Sequence, residues 1–193
     1  MVNETEFAAT FASNLAETYG DRLIEGLKEL GDKAKAQLRT GLKKYAISNK
    51  RRYGKTKTFL YRDKPVPLEK FYVPAFVKHR NAEYSDFAFV DAIWSHNHIG
   101  VLGTAGSGKS IFMRYLFLKL LGDRGKRFPV LIELRDLNDS GLSIMETAHK
   151  QISSCLPHLS RDLVDTLFAE GAIVLLLDGY DEVNHDRRRE IGG

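Results

Sequence analysis

Apolar and polar residues along the chain follow two different periods, and these periods separate helices from strands. Apolar residues recur every three or four positions over residues 4–19 and 21–47, which predicts two amphipathic helices near the start. Short continuous apolar runs stand instead at 99–102, 128–134 and 172–178. Runs of this length, bounded by polar residues and glycine, predict buried strands.

Helical patterns separate the later strands. The first covers residues 109–121 and ends at Gly122. The second covers residues 142–156 and is capped by Ser140 or Ser143. The third covers residues 160–171, with Ser160 as its cap and Gly171 as its stop. Strands that alternate with helices are typical of a parallel sheet with crossover helices. We therefore predict an α/β fold in two parts, an N-terminal, mainly helical accessory region over residues 1–80 and an α/β domain over residues 81–193.

The stretch between the two parts carries mixed signals, with prolines, aromatic residues and many bases. The predicted elements are a turn at 49–55, a strand at 56–61, a loop at 62–67, a strand broken by Pro74 at 68–77, and a helix capped by Ser85 at 85–96.

Charge is distributed unevenly along a chain of otherwise ordinary globular composition, 43% hydrophobic and 28% charged. Residues 28–80 hold sixteen Lys and Arg against four Asp and Glu, a net charge of +12, whereas both flanking parts are net acidic. A basic block can bind nucleic acid, or it can form the solvated face of a helix. We favour the solvated face, because no motif that reads a nucleic-acid groove accompanies the charge.

The sequence also indicates where the protein works. Cys155 is the one cysteine of the chain, which excludes an internal disulfide and is typical of the reducing cytoplasm. No apolar run approaches the roughly 20 residues that span a bilayer. The first residues lack the basic and apolar regions of a secretory signal. We therefore predict a cytoplasmic protein without a membrane partner.

The stretch GTAGSGKS matches the phosphate-loop pattern G-x-x-x-x-G-K-[S/T], the Walker A motif, between a predicted strand and a predicted helix. Its glycines let the backbone curl around a phosphate, and the N–H groups at the helix start bind the anion. Lys109 is predicted to neutralise the β- and γ-phosphate oxygens, and the Ser110 hydroxyl to coordinate Mg²⁺. The predicted nucleotide-binding residues are Gly103, Thr104, Ala105, Gly106, Ser107, Gly108, Lys109 and Ser110.

An apolar strand with an acidic end, IVLLLDGYDEV, follows about 70 residues later and is typical of a Walker B motif. The strand would bring Asp178 to the carboxyl edge of the sheet, where its carboxylate can hold the metal directly or through water. Asp181 and Glu182 follow on a short loop, and one of them would orient or deprotonate the attacking water. The predicted catalytic residues are therefore Lys109, Asp181 and Glu182, and the predicted metal ligands are Ser110 and Asp178.

Arg135 and Asp136 end the strand predicted at 128–134, near the same edge of the sheet. Arg135 could reach a phosphate of the nucleotide. We favour the alternative, a surface or structural ion pair, because such pairs are the commoner use of an arginine beside an acid.

Taken together, the stretches FLYRDKPVPLEKFYVP, IGVLGTAGSGKS, FPVLIELRDL and IVLLLDGYDEV resemble the NACHT branch of the STAND NTPases over roughly residues 56–190. The resemblance implies a switch that binds ATP or ADP with Mg²⁺. In the family, ADP holds a closed monomer, and exchange for ATP allows oligomerisation; bacterial proteins similar to this often serve in antiphage defence. Residues 103–110 would bind the phosphates, Asp178 would handle Mg²⁺, and Asp181 with Glu182 would serve hydrolysis.

The chain also departs from the family, whose sheet has the strand order 5-1-4-3-2. The strands predicted at 99–102, 128–134 and 172–178 correspond to strands 1, 2 and 3, so strands 4 and 5 would lie past residue 193. Strand 1 would then lack both neighbours, and each unpaired buried backbone group costs about 1–3 kcal/mol. We therefore expect an N-terminal portion of the family's architecture, with an incomplete sheet and an impaired nucleotide site.

Three functions remain open at this point. The first is the nucleotide-gated switch, whose partners would be nucleotide and further copies of the protein. The second is a non-enzymatic adaptor or decoy that docks helices 4–47 on a full-length relative. The third is a nucleic-acid-dependent ATPase that uses the basic block of residues 28–80. We rank them in this order, since the second does not require the intact motifs and the third lacks a recognition motif.

Overall fold

The computed structural model describes residues 32–56, 65–122, 127–157 and 159–191. Its helices are α1 (Asp32–Tyr53), α2 (Leu68–Phe71), α3 (Asp86–Ser95), α4 (Lys109–Gly122), α5 (Leu137–Ser140), α6 (Ile144–Cys155), α7 (Arg161–Ala169) and α8 (His185–Ile191). Its strands are β1 (Lys55–Thr56), β2 (Val66–Pro67), β3 (Phe76–His79), β4 (Ala82–Ser85), β5 (Phe128–Glu133) and β6 (Ile173–Asp178). Short 3₁₀ turns span Leu134–Asp136 and Tyr180–Glu182. The helix predicted at 4–19 lies outside the described residues.

The strands β5 and β6 pair in parallel, as the alternation of strands and helices predicts. Their register runs from Phe128 opposite Ile173 to Glu133 opposite Asp178, so the two acidic residues end neighbouring strands. Every residue of β5 is buried, and α4 packs against both strands. Within the described parts of the chain this is a two-stranded sheet, and β1–β2 and β3–β4 form two further antiparallel pairs.

The helix α1 packs into the same hydrophobic core as α4, α6 and β5. Tyr45 is buried; its ring lies 4.7 Å from the ring of Phe128, and its hydroxyl donates a hydrogen bond to the Pro129 carbonyl at 3.0 Å. Gly41 faces the C-terminal end of α6, where a Cβ atom would come within 2.8 Å of the Cys155 carbonyl oxygen. The domain boundary near residue 80 stays a prediction, and α1 shares a core with residues on its far side.

Serine caps define where three helices begin, as predicted from the sequence. Ser85 accepts a hydrogen bond from the Ala88 N–H at the start of α3, and Ser160 accepts one from the Leu163 N–H at the start of α7. Of the two candidates before α6, Ser143 is the cap. It forms a capping box with Glu146, in which each side chain accepts from the other residue's backbone N–H.

Two predictions between residues 49 and 77 were wrong. The turn predicted at 49–55 is largely helical, because α1 continues to Tyr53, whose buried ring packs edge-on against Phe117. The strand predicted at 68–77 begins instead as the helical turn α2, since Leu68 is fully buried and its N–H donates to the Gly54 carbonyl. Strand structure there is confined to β3, and the strand predicted at 56–61 lies largely outside the described residues.

The buried strand predicted at 99–102 is also absent from the structure. Residues 98–104 have no strand or helix assignment, Leu102 is 97% exposed and Ile99 is 41% exposed. A strand is stabilised by hydrogen bonds to a neighbour. None of the strands in the described ranges pairs with this segment, and β5 pairs only with β6.

A helix must be both long and apolar to cross a bilayer. None of the helices within the described residues meets both conditions.

Candidate functional site

The phosphate loop, residues 103–110, connects the exposed segment before it to the N-terminus of α4. Gly106 and Gly108 have φ angles of 74° and 89°, in the left-handed region that glycine adopts without strain. A Cβ atom at Gly103 would lie 2.8 Å from the Ser107 hydroxyl oxygen, so a larger residue there would displace that hydroxyl. The glycines of the motif therefore permit a tight curl of backbone that ends on the first turn of a 14-residue helix.

Lys109 folds back over this loop. Its ammonium group donates hydrogen bonds to the Gly103 carbonyl at 2.9 Å and to the Thr104 carbonyl at 3.0 Å. An ammonium carries three N–H donors, so these two carbonyls use two of them. The arrangement holds the positive charge across the mouth of the loop, where the helix N-terminus already favours an anion.

Ser110 connects the loop to β6. Its hydroxyl donates a hydrogen bond to the Asp178 carboxylate at 3.1 Å, across 68 positions of sequence. Magnesium binds oxygen ligands at about 2.0–2.1 Å in an octahedron, so adjacent ligands stand about 2.9 Å apart. The spacing and chemistry of these two oxygens therefore fit a shared Mg²⁺, which typically takes its other ligands from water and phosphate.

The acidic turn after β6 is held by contacts to its backbone. Gly179 has a φ angle of 79°, which turns the chain away from the strand. The Asn138 amide donates to the Glu182 carbonyl at 2.9 Å and accepts from the Asn184 N–H at 2.9 Å. The Arg188 guanidinium donates to the Asp181 carbonyl at 2.6 Å. This turn is thus fastened on both sides.

Three arginines surround the carboxylate of Glu133, the last residue of β5. Its side chain is 9% exposed. Arg114 lies 3.5 Å from Oε1 and Arg52 lies 3.9 Å from the same oxygen, whereas Arg135 donates to Oε2. The hydrogen bond that Arg135 donates to Glu133, followed by the negative charge of that carboxylate, raises the pKa of the Arg135 guanidinium. Arg135 also approaches the Glu182 carboxylate at 3.8 Å.

These groups meet in a small polar depression of about 50 Å³ at the carboxyl end of the parallel strands. It is lined by Ser110, Arg114, Glu133, Arg135, Asp178 and Glu182. Within the described ranges, no group of three or more His, Cys, Asp or Glu side chains is placed to hold a metal ion by itself. On one side, the depression offers a hydroxyl and a carboxylate, which suit a metal ion. It also offers two guanidinium groups, which suit anions.

Glycines curl the loop, and the Lys109 side chain bonds back across it. Ser110 joins the loop to a carboxylate at the end of a parallel strand. This is the arrangement of P-loop nucleotide sites. The family model of the NACHT domain matches residues 97–190. This segment is a NACHT domain. NACHT domains are NTPase switches of the STAND P-loop family, which bind nucleotide. No curated protein and no solved structure matches the chain significantly.

The NACHT domain brings together most of the residues predicted from the sequence. Lys109, Ser110 and Asp178 lie on the loop and the adjoining strand, and Glu182 lines the depression with the last two. Asp181 is exposed and is not among the lining residues. The sequence leaves two candidates for the catalytic carboxylate, Asp181 and Glu182. Of the two, Glu182 lies beside Ser110 and Asp178, the predicted metal ligands.

Sequence reasoning missed the part of the site contributed by distant segments. Arg52 belongs to α1 and Arg114 to α4, yet both approach Glu133. The ion pair favoured for Arg135 is present, with Glu133 as its nearest partner. A charged residue at the end of the otherwise apolar run FPVLIE was the available signal, because a buried carboxylate requires cationic partners.

Proposed function

We propose that the NACHT domain of this chain binds ATP and ADP with Mg²⁺ at the phosphate loop and hydrolyses ATP there, more slowly than a site whose sheet is complete. Two hydrogen bonds at the start of α4 carry the proposal. The Lys109 ammonium donates to a carbonyl across the loop, and the Ser110 hydroxyl donates to the Asp178 carboxylate at 3.1 Å. Two consecutive residues thereby join the phosphate cradle to the metal-type carboxylate. This combination serves nucleotide phosphate and its magnesium in a P-loop.

Each residue has a distinct role in this proposal. The backbone N–H groups of residues 103–110 bind the β-phosphate, aided by the helix N-terminus. The third N–H of Lys109 donates to a phosphate oxygen. Ser110 and Asp178 hold Mg²⁺, which when bound neutralises charge that develops on the phosphates.

We assign to Glu182 the role of orienting or deprotonating the attacking water. A general base must lie within hydrogen-bond reach of the water it activates, directly or through one water molecule. Glu182 lines the same depression as Ser110 and Asp178, whereas Asp181 does not. Asp181 contributes its carbonyl to the bond from Arg188, which is a structural contact of the turn.

The nucleotide cycle would serve as a switch. On the resemblance to bacterial NACHT proteins, we propose that exchange of ADP for ATP permits oligomerisation in cytoplasmic antiphage signalling. The exposed, unpaired segment 98–104 supports the accompanying proposal that the sheet is incomplete in this chain. Further parallel strands beside that segment would complete the family's sheet.

Magnesium dependence tests the site itself. The wild-type chain is expected to bind a fluorescent ADP analogue more weakly when EDTA removes Mg²⁺, and Asp178→Asn should lose that difference. Asp186→Asn, at an exposed position in the first turn of α8, is the matched control and should retain it. Equal magnesium dependence in wild type and Asp178→Asn would contradict the proposed metal site.

Hydrolysis tests the assignment of the carboxylates. Glu182→Gln should lower the turnover of Mg-ATP about 100-fold, the usual contribution of a general base, with nucleotide affinity preserved. Asp181→Asn should stay close to wild type. The reverse pattern would move the role to Asp181, and unchanged turnover in both variants would remove it from this turn.

A further inference from the structure

Glu133 is a buried carboxylate that neither the phosphate cradle nor the metal-type pair requires. It ends β5, directly opposite Asp178 in the register of the sheet, and only 8% of the residue is exposed. Burying a carboxylate is costly unless cations and hydrogen bonds compensate it. An apolar residue would complete this strand with less cost, so the three arginines gathered around Glu133 need an explanation.

The partners of Glu133 divide between its two oxygens. Oε1 faces Arg114 of α4 at 3.5 Å and Arg52 of α1 at 3.9 Å, and both helices pack on β5 or on its neighbours. Oε2 accepts from Arg135, which follows two residues later on the 3₁₀ turn. Oε1 is therefore held by arginines of α1 and α4, whereas Oε2 accepts the hydrogen bond that positions Arg135.

Arg135 extends this chain of contacts to the acidic turn. Its Nη2 bonds Glu133, and its Nη1 lies 3.8 Å from Oε2 of Glu182. The side chain of Arg135 is 53% exposed and that of Glu182 is 48% exposed. An isolated pair with that exposure would contribute little, because ordering two long side chains opposes it. A guanidinium already held by a buried anion loses less freedom when it meets the second carboxylate.

We propose that Glu133 is a positioning residue that acts through Arg135 to hold the Glu182 carboxylate at the edge of the depression, beside Ser110 and Asp178. The inference rests on the proposed role of Glu182 in hydrolysis. The backbone of the turn is fastened by Asn138 and Arg188, and the Glu133–Arg135 pair supplies the corresponding restraint on the carboxylate. A general base displaced by about 1 Å can lose much of its effect.

Steady-state hydrolysis of Mg-ATP and affinity for Mg-ADP, measured together, test the proposal. Glu133→Gln and Arg135→Gln should each lower kcat about tenfold, with KM and Mg-ADP affinity within about twofold of wild type. Arg135→Lys should behave like Arg135→Gln, because an ammonium lacks the fork that joins two carboxylates. Asp136→Asn, which neutralises a second exposed carboxylate beside Arg135, 3.9 Å from its Nε, is the matched control and should leave kcat unchanged.

The double variant Arg135→Gln with Glu182→Gln should be no slower than Glu182→Gln alone, since Arg135 acts through that carboxylate. Additive losses would overturn the proposal. So would an increase in KM or a loss of Mg-ADP affinity in Arg135→Gln, which would indicate direct phosphate contact. If Glu182→Gln keeps full turnover, the proposed catalytic role fails; if Glu182→Gln is slow and Glu133→Gln is not, the positioning role alone fails.

A measurement without turnover completes the test. The coupling between Arg135 and Glu182 is obtained from a double-mutant cycle in urea unfolding, first with Glu133 present and then in the Glu133→Gln background. We expect a favourable coupling in the first cycle and none in the second. Coupling that persists without Glu133 would overturn the positioning role, even where hydrolysis is too slow to measure.

Discussion

The two halves of the nucleotide site are built in opposite ways. The phosphate loop, residues 103–110, is mostly exposed, and the segment before it forms no strand. The acidic edge rests on β5, whose six residues are all buried, and on the parallel pairing of β5 with β6. The first half therefore takes its shape from local backbone chemistry, and the second from packing between segments that are distant in sequence.

Because of this difference, we expect substitutions in the two halves to affect different properties of the protein. The curl of the phosphate loop depends on glycines with positive φ and on a lysine that bonds its own loop, so it forms without a neighbouring strand. The acidic edge depends on helices α1, α4 and α6 against β5. We expect changes near the loop to affect ligands more than folding, and changes beneath the acidic edge to affect folding first.

Two leucines provide the largest expected contrast. Leu131 in β5 is 1% exposed, and its replacement by alanine should lower the free energy of unfolding by about 3 kcal/mol, the usual cost of a cavity in a core. Leu102→Ala, immediately before the loop, should change it by no more than about 0.5 kcal/mol. Urea unfolding followed by circular dichroism measures both. Similar losses at the two positions would mean that the segment before the loop is packed in solution.

Gly41 tests whether α1 belongs to the packed half. Alanine is favoured over glycine in a helix by about 1 kcal/mol, so propensity alone predicts that Gly41→Ala stabilises the protein. The close approach of Gly41 to Cys155 predicts the opposite, a loss of about 2 kcal/mol from overpacking. The exposed position Lys44, changed to alanine, is the control in the same helix. A stabilised Gly41→Ala variant in urea unfolding would separate α1 from the core.

Tyr45 tests the same docking through a single hydrogen bond. Tyr45→Phe keeps the buried ring but leaves the Pro129 carbonyl without the hydroxyl that donates to it. The expected loss in the free energy of unfolding is about 1.5 kcal/mol. Tyr84→Phe, on the exposed face of β4, removes a hydroxyl without that burial and should cost much less. Equal effects in thermal or urea unfolding would contradict a docked α1.

Ser143 gives the smallest effect, from local chemistry within the packed half. Ser143→Ala removes the acceptor for the Glu146 N–H and should lower the free energy of unfolding by about 1 kcal/mol. Ser153→Ala, an exposed serine later in α6, is the control and is expected to be close to neutral. If the two variants unfold at the same urea concentration, the capping box does not stabilise this helix.

Elements with local signals were predictable from the sequence. The caps Ser85, Ser143 and Ser160 fix helix starts through bonds to N–H groups three residues on, so these helices agree with prediction within a few residues. The apolar runs predicted at 128–134 and 172–178 form β5 and β6, which pair with each other. The motif residues Lys109, Ser110 and Asp178 also meet as their chemistry requires.

The remaining features depend on partners that periodicity does not reveal. The run at 99–102 has the composition of a strand, but strand structure requires a neighbour to bond. The basic stretch before Tyr53 looks like a turn, and burial of that tyrosine against Phe117 extends the helix instead. The convergence of Arg52 and Arg114 on Glu133 joins segments 62 residues apart and carries no local pattern.

The most direct test of the account is calorimetric titration of the purified chain with Mg-ADP and Mg-ATP, alongside Lys109→Ala. We expect saturable binding by the wild-type chain and an affinity about 100-fold lower in Lys109→Ala, from the loss of a charge-assisted contact to phosphate. Lys119→Ala, at an exposed position later in the same helix, should bind like wild type. A folded wild-type chain that binds neither nucleotide, or one whose binding is unaffected by Lys109→Ala, would contradict the claim that this loop is a working phosphate cradle.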